Sequence, residues 1–189
     1  VQSFSPDVAC NLEIVTHDWQ FAQLYHNFQE YRCDSDGLEV WQYGVAHNIP
    51  GAPEGVWGTI LAGSYPDQAG RGLRSTPFVV TPSTRLVEIE HYYEIENGYD
   101  GGNLLIYPYE TVLEPIGGYP AQTISSSPSY YAWCVDGEPG WTGSSGGWRV
   151  DCFDLSAYMG LQVSLELDFG SDASVTALGW YIRRVRIGG

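Results

Sequence analysis

Carboxylates flank a compact turn in the segment ENGYDGGNLLIYP, residues 96–108, where Glu96 and Asp100 lie among Asn and Gly residues. Asn-Gly and Asp-Gly between apolar runs are strong signals for the turn of a β-hairpin. Carboxylates presented by a loop are also ligands that Ca²⁺ prefers. The segment therefore predicts a hairpin turn, with a cation site on that turn as a second and compatible interpretation.

Two further acids, Asp34 and Asp36 in the segment CDSDG, are candidate ligands of the same calcium ion. The segment is too short to count as an EF-hand loop, because the acid that ends such a loop is missing. The competing interpretation is a solvated acidic strand face whose Glu residues form ion pairs with arginines of the last strand. The residues concerned are Glu88, Glu90, Glu94 and Glu96 on one side and Arg183, Arg184 and Arg186 on the other.

A loop rich in Ser, Gly and Pro, residues 125–147, carries four aromatic side chains. Loops with this many aromatic residues are often functional, and sugar rings or apolar side chains stack on flat aromatic faces. Tyr130, Tyr131, Trp133 and Trp141 are therefore the predicted ligand-binding residues. The alternative for Trp133 is packing against a disulfide, since Cys134 follows it directly.

The four cysteines, Cys10, Cys33, Cys134 and Cys152, lack the Cys-x-x-Cys spacing of a zinc or redox site. Two disulfides are the simplest interpretation, and they imply an oxidising, extracellular location. Proximity in the sequence favours Cys10 with Cys33 and Cys134 with Cys152, although four cysteines allow three pairings.

No catalytic constellation emerges from the sequence. The four histidines show neither His-Glu-x-x-His nor His-x-His spacing. His91 falls on the apolar face of a strand, where a hydrogen-bonded core histidine is expected. The 23 acids are enough to supply the two carboxylates of a glycosidase, but the sequence singles out no such pair.

The overall composition predicts one extracellular globular domain. A net charge of -15 on 189 residues argues against nucleic acid or an anionic membrane as a partner. No apolar run is long enough to span a bilayer, and no basic region followed by an apolar stretch stands at the start of the sequence. The chain reads as a mature secreted protein or an excised module.

Alternating polar and apolar residues predict an all-β fold, a sandwich of antiparallel strands. In residues 86–96 the apolar face carries Val87, Ile89, Tyr93 and Ile95, and in residues 161–169 it carries Leu161, Val163, Leu165, Leu167 and Phe169. Further strands are predicted at 39–45, 56–62, 77–81, 103–108, 147–153 and 178–187. A phase slip between Ile182 and Val185 predicts a β-bulge. Residues 18–29 have helical spacing of apolar side chains.

Several segments together resemble a known family. WQYGVAHNIPGAPEGVWGTILAGSYP followed by LRSTPFVV resembles the start of MAM-like jelly-roll domains. HYYEIENGYDGGNLLI, EPIGGYP and FDLSAYMGLQVSLELDFGSDASVTALGWYI resemble the C-terminal domains of immune-inhibitor-A-like (M6 family) peptidases. The resemblance covers about residues 34–189 in order and implies a non-catalytic, extracellular jelly-roll β-sandwich, often held together by calcium.

The resemblance also implies a ligand set for calcium, namely Asp34 or Asp36, Glu96 and Asp100. The family's last strand usually reads Trp-Tyr-Ile-Asp-Asp-Val, whereas this chain has Arg183 and Arg184 in place of the two acids. If those acids help to hold calcium, the site in this chain is reduced or replaced by salt bridges. Residues 1–35 form an N-terminal segment, packed on the sandwich or exchanged as a strand, and residues 36–189 form the jelly-roll domain.

Three functions follow from these observations. The first is a calcium-stabilised extracellular recognition or accessory module of a secreted or cell-surface protein, whose partner is a protein or a glycan and whose role includes adhesion. The second is a structural subunit of a filament, in which the N-terminal segment adds a strand to a neighbouring copy. The third is a carbohydrate-active enzyme.

Overall fold

The protein is an antiparallel β-sandwich of jelly-roll type, seen in a computed structural model that describes residues 9–33, 36–52, 54–125 and 131–189. Two six-stranded sheets enclose one main hydrophobic core. The all-β prediction is thus confirmed. No helix within these ranges has the length and apolar character needed to cross a bilayer.

Twelve strands and two short helical segments make up the described chain. The strands are β1 (Val15–Gln20), β2 (Phe28–Tyr31), β3 (Trp41–Gly44), β4 (Val56–Thr59), β5 (Gly70–Ser75), β6 (Phe78–Val79), β7 (Leu86–Glu94), β8 (Gly101–Tyr107), β9 (Thr111–Leu113), β10 (Arg149–Asp154), β11 (Gln162–Gly170) and β12 (Gly179–Gly188). The helical segments are α1 (Ala22–Asn27) and a 3₁₀ turn (Ser156–Tyr158).

The strands are divided between two sheets. Sheet A has the order β10-β7-β12-β4-β3, with β1 added beside β12. Sheet B has the order β2-β5-β11-β8-β9, with β6 added beside β11. Long strands occupy the centre of each sheet, as expected where side chains on one face must fill the space between the layers.

Alternation along β7 and β11 places their apolar residues in the core, as predicted. Val87 and Ile89 of β7 and Leu165 and Leu167 of β11 are buried in the same cluster. Leu161 is an error of the prediction, because it precedes β11 and is 41% exposed. The predicted bulge is confirmed, since the register of β12 against β7 shifts between Ile182 and Arg184.

The connection between β7 and β8 corrects the hairpin prediction. The two strands belong to different sheets, so residues 95–100 carry the chain across the sandwich instead of reversing it within one sheet. The turn chemistry itself is as expected, because Gly98 has a φ of 85° and the amide of Asp100 donates to the carbonyl of Glu96. Local sequence identifies the turn but not the sheet that each strand joins.

The segment before residue 36 contributes to both sheets. β1 pairs with β12 of its own chain in sheet A, and β2 pairs with β5 in sheet B. The helical spacing at residues 18–29 corresponds to only six residues of helix, α1, in which Leu24 is the buried side chain. A helix of this length depends on tertiary packing for its stability.

The disulfides connect distant parts of the chain, which corrects the pairing favoured by proximity. Cys10 is bonded to Cys152, and Cys33 to Cys134. The N-terminal segment crosses sheet A near β10, and the chain leaving β2 meets the loop that precedes β10. Neighbours in the sandwich, and not neighbours in the sequence, therefore determine the pairing.

A buried carboxylate, Asp151 of the edge strand β10, organises a set of polar contacts in sheet A. Asp151 accepts hydrogen bonds from the indole of Trp141 at 2.8 Å and from Arg149 at 2.5 Å. His91 contacts it through Nε2 at 2.9 Å, while Nδ1 of the same ring accepts from the indole of Trp180. An indole N–H can only donate, so Nε2 of His91 carries the proton that faces Asp151. His91 is therefore the hydrogen-bonded core histidine that the sequence predicts.

Replacing this carboxylate tests its role in stability. Desolvation alone would raise the pKa of Asp151. The hydrogen bonds and charge interactions with His91 and Arg149 have the larger effect and hold the pKa at about 2. We expect Asp151→Asn to lower the free energy of unfolding at pH 7 by about 3–5 kcal/mol, because Arg149 loses its buried partner. Glu54→Gln, on an exposed loop, is the control.

The pH dependence of this difference is a second readout. A carboxylate with a depressed pKa contributes stability above its unfolded pKa, and that contribution is lost as the pH falls toward its folded pKa. Denaturant titrations should therefore show the gap between wild type and Asp151→Asn closing from about pH 4 to about pH 2. A gap that stays constant over this range would contradict the assignment.

Candidate functional site

Three chain connections meet at one end of the sandwich, and each of them passes from one sheet to the other. They are residues 60–69 between β4 and β5, residues 95–100 between β7 and β8, and residues 171–178 between β11 and β12. Each connection contributes a polar residue to a common cluster. We call its three acids, Glu96, Asp100 and Asp172, the acidic junction.

The acidic junction brings carboxylate oxygens close together. One oxygen from each acid lies within 4.8 Å of the other two. Both oxygens of Asp100 are hydrogen-bonded, one to the hydroxyl of Tyr65 at 2.7 Å and the other to the backbone amide of Asp172 at 2.7 Å. Tyr65 also accepts the backbone N–H of Glu96 at 3.0 Å. These bonds tie the three connections to one another.

Two oxygens of the acidic junction are buried without a partner. Asp172 is 1% exposed, and its Oδ2 has no hydrogen bond within the described chain. Oε2 of Glu96 is likewise buried and has no hydrogen-bond partner among the described residues. A buried polar atom without a partner costs about 1–3 kcal/mol, and more when it is charged. The described residues provide no arginine ion pair to any of the three acids.

The electrostatics reflect this lack of a counter-charge. Desolvation, reinforced by the neighbouring acids, raises the pKa of Asp100 to about 7 despite its two hydrogen bonds. Burial and the charges of Asp172 and Asp67 raise the pKa of Glu96. Mutual repulsion of this kind is relieved by protonation or by a bound cation.

The oxygen donors of the acidic junction fit a calcium ion. All three side chains are carboxylates, which are hard ligands, and neither His nor Cys is part of the group. The free oxygens of Glu96 and Asp172 are the available donors. Tyr65 accepts the backbone N–H of Glu96 and so helps to hold that residue in place.

The structure separates the predicted metal ligands. Glu96 and Asp100 lie together, whereas Asp36 is exposed and outside the acidic junction. Asp34 lies outside the described residues. Sequence reasoning missed Asp172, which is 72 positions from Asp100 in the chain. Its only local signal is a Ser-Asp turn after an alternating strand, and that signal is too common to identify a ligand.

The acidic strand face of sheet A follows the alternative interpretation in part: two of its glutamates form the expected ion pairs, but Glu88 is only 3% exposed and is therefore not solvated. Arg186 pairs with Glu88, and Arg183 pairs with Glu90. These ion pairs account for Glu88 and Glu90, but they do not reach Glu96.

Arg184, on the same strand, pairs with a residue of β1. Its guanidinium contacts the carboxylate of Asp18 at 2.6 Å. Arg183 and Arg184 thus both form salt bridges on the outer face of sheet A.

The four aromatic candidates do not form one surface. Trp141 is 1% exposed and packs in the core, where its ring centroid lies 5.1 Å from that of Trp180. The prediction that Trp141 lies on a binding rim is therefore wrong. Tyr131 is 46% exposed and meets Trp133 edge to face at 5.2 Å. Tyr130 lies outside the described residues. Trp133 directly precedes the disulfide-bonded Cys134 and is half-buried.

Fold and cluster together define a β-sandwich module with a carboxylate site where its sheets are connected. No model of a known protein family matches the chain. The chain is 27% identical over 147 residues to Bacillopeptidase F of Bacillus subtilis (strain 168). That alignment covers 75% of the chain but only 9% of the length of Bacillopeptidase F.

Two solved structures resemble the fold at low sequence identity. A carbohydrate binding module (CBM6cm-2) from Cellvibrio mixtus lichenase 5A, in complex with cellotriose, has a TM-score of 0.43 and 15% identity over 93% of this chain and 98% of the module. A LamA variant from Z. galactanivorans, in complex with laminaritriose and laminaritetraose, has a TM-score of 0.41 and 12% identity over 94% of this chain and 100% of its own. At these scores the likenesses add nothing to the fold described above.

Substitution of the aromatic candidates should separate core from surface. We expect Trp141→Ala to lower the free energy of unfolding by about 3–5 kcal/mol, because it empties a core position and removes a donor to Asp151. Tyr131→Ala should lower it by less than about 1 kcal/mol, since the side chain is exposed. Chemical denaturation of both variants checks this, and similar losses for the two would contradict the division.

Proposed function

We propose that the chain is a non-catalytic accessory module of an extracellular protein, with a calcium ion bound at the acidic junction. The observation that carries this proposal is the pair of buried, unpartnered oxygens on Glu96 and Asp172 beside the hydrogen-bonded Asp100. These three acids would hold the ion, and backbone carbonyls or water would complete its ligands.

Calcium suits this position because of the charge that it supplies. Magnesium demands near-ideal octahedral geometry and retains water, whereas calcium accepts irregular sets of carboxylates from loops. A divalent cation would offset the repulsion that raises the pKa of Asp100 and Glu96. It would also join three connections that are already tied together by the side chains of Tyr65, Asp100 and Ser171 and by backbone hydrogen bonds.

The accessory, non-catalytic role has separate support. A histidine beside a carboxylate is a possible catalytic pair, and His91 contacts Asp151 in this way. However, both ring nitrogens of His91 are hydrogen-bonded in the core and the residue is 0% exposed, so it has no access to a substrate. Two disulfides suit an oxidising compartment. Similarity to a small part of Bacillopeptidase F suits a module that belongs to a larger protein.

Thermal unfolding with and without calcium tests the metal. A ligand that binds only the folded state stabilises it, by about 2.7 kcal/mol at a concentration about 100-fold above Kd. We expect the melting midpoint of the wild type to rise when calcium replaces a chelator. Asp172→Asn should abolish that rise, because it removes the carboxylate with the free oxygen.

The comparison in chelator makes the test specific. There, Asp172→Asn should be at least as stable as the wild type, since it relieves repulsion among three acids. Asp154→Asn, an exposed carboxylate outside the acidic junction, should retain the full calcium response. A wild-type midpoint that ignores calcium would overturn the proposal, and so would an unchanged response in Asp172→Asn.

A further inference from the structure

The outer face of sheet B carries a groove of about 760 Å³, separate from the acidic junction. Its volume lies within the range of about 300–1,000 Å³ that is usual for ligand pockets. The Cys33–Cys134 disulfide and Pro139 border one side, and Glu110 and Thr111 border another. We call this depression the sheet B groove. Its floor consists of two rows of side chains that cross the strands.

The first row is Tyr31, Gly72, Asp168 and Asn103, which are in register across β2, β5, β11 and β8. Gly72 is essential to this row, because a Cβ there would overlap both the Tyr31 ring and the Asp168 carboxylate. Because Gly72 has no Cβ, the Tyr31 hydroxyl can reach across β5 and donate to Asp168. Burial raises the pKa of Asp168 to about 7, although the Tyr31 hydrogen bond partly opposes the rise.

Asn103 ends this row with an unused acceptor. The residue is 0% exposed and its Nδ2 donates to the carbonyl of Pro139 at 3.1 Å. Its Oδ1 is buried and has no partner in the described ranges of the chain, although the residue borders the groove. Buried side-chain oxygens normally accept a hydrogen bond, so this atom marks a place for a donor from a ligand or from water.

The second row supplies a donor beside these acceptors. Arg74 of β5 is in register with Glu166 of β11, and its Nη2 lies 2.5 Å from the Glu166 carboxylate. Its guanidinium also stacks over the rings of Tyr31 at 4.5 Å and Tyr107 at 3.9 Å. Arg74 is thereby held in place at the groove with its charge offset.

We propose that the sheet B groove binds an uncharged oligosaccharide, with Asp168 and Asn103 accepting from sugar hydroxyls and Arg74 donating to them. A hydroxyl both donates and accepts, so a chain of hydroxyls matches a floor that offers both donors and acceptors. The proposal rests on the accessory role given above and deepens it, because it names the ligand class of that module.

A basic peptide fits this floor less well, despite the net charge of -15. The carboxylate of Glu166 already has a cationic partner, and that of Asp168 already accepts from Tyr31. Arg32 and Arg74 border the groove and would repel lysine or arginine side chains. An acidic ligand is disfavoured as well, since it would face Glu110, Glu138, Glu166 and Asp168.

Titration calorimetry and a glycan array test the ligand class. The probes are neutral gluco-, manno-, xylo- and galacto-configured oligosaccharides of about four to six residues, with oligogalacturonate and oligolysine as the competing classes. We expect binding of at least one neutral series. At a pH above the Asp168 pKa of about 7, where this carboxyl is ionised, Asp168→Asn should weaken it about tenfold or more, because a hydrogen bond to a charged group is worth about 1.5–3 kcal/mol.

A second variant blocks the groove without touching its buried floor. Thr111 is exposed at the groove edge, so Thr111→Trp should fold normally and reduce binding by about tenfold or more, by a steric rather than an electrostatic effect. The matched controls lie outside the groove. Thr16→Trp, at an exposed position of β1 in sheet A, and Asp154→Asn should both bind like the wild type.

The possible results separate this proposal from the metal proposal. Neutral-sugar binding that is lost in Asp168→Asn and Thr111→Trp but kept in both controls supports the groove. Absence of neutral-sugar binding, exclusive binding of oligolysine or oligogalacturonate, or sugar binding that both groove variants retain would overturn it. The calcium response of the same samples reports on the acidic junction independently.

Discussion

The need to cross between two sheets at one end of the sandwich is the constraint on which this structure depends. Three connections make that crossing together, and their backbone groups must be satisfied where side chains from both layers crowd out water. Asp100 meets the need by accepting from Tyr65 of one connection and from the amide of Asp172 in another. The cost is a set of buried carboxylates without a counter-charge, so the feature that closes the fold also creates the strongest candidate for a cation site.

Buried acids in this chain differ mainly in what surrounds them. Asp151 receives donors from Arg149, His91 and Trp141, and its pKa is held at about 2. Asp100 has two neutral donors and two acidic neighbours, and its pKa rises to about 7. Burial alone therefore does not mark a site. The distinguishing property is whether the part of the chain that the structure describes provides positive charge, as it does for Asp151 but does not for the acidic junction.

Local patterns in the sequence predict local structure well and predict the site only in part. Alternation identifies β7 and β11, and the phase slip in β12 identifies a bulge, because both depend on which face of one strand is buried. Sheet membership, disulfide pairing and the ligand Asp172 depend on contacts between distant segments, which no local pattern records. β5 escaped prediction for a related reason. Its glycines have low strand propensity, yet the packing of Tyr31 against Asp168 requires Gly72.

The two candidate sites are linked through the strands that they share. Asp172 follows β11 closely and Asp100 immediately precedes β8, while Asp168 and Asn103 of the groove floor are paired on those same two strands. A cation at the acidic junction would fix the ends of both strands and thus the register of the floor. Binding to a floor that is already ordered avoids part of the entropy cost of association. The acidic junction would therefore aid recognition without contacting the ligand, by holding β8 and β11 in the arrangement that presents Asp168 beside Asn103.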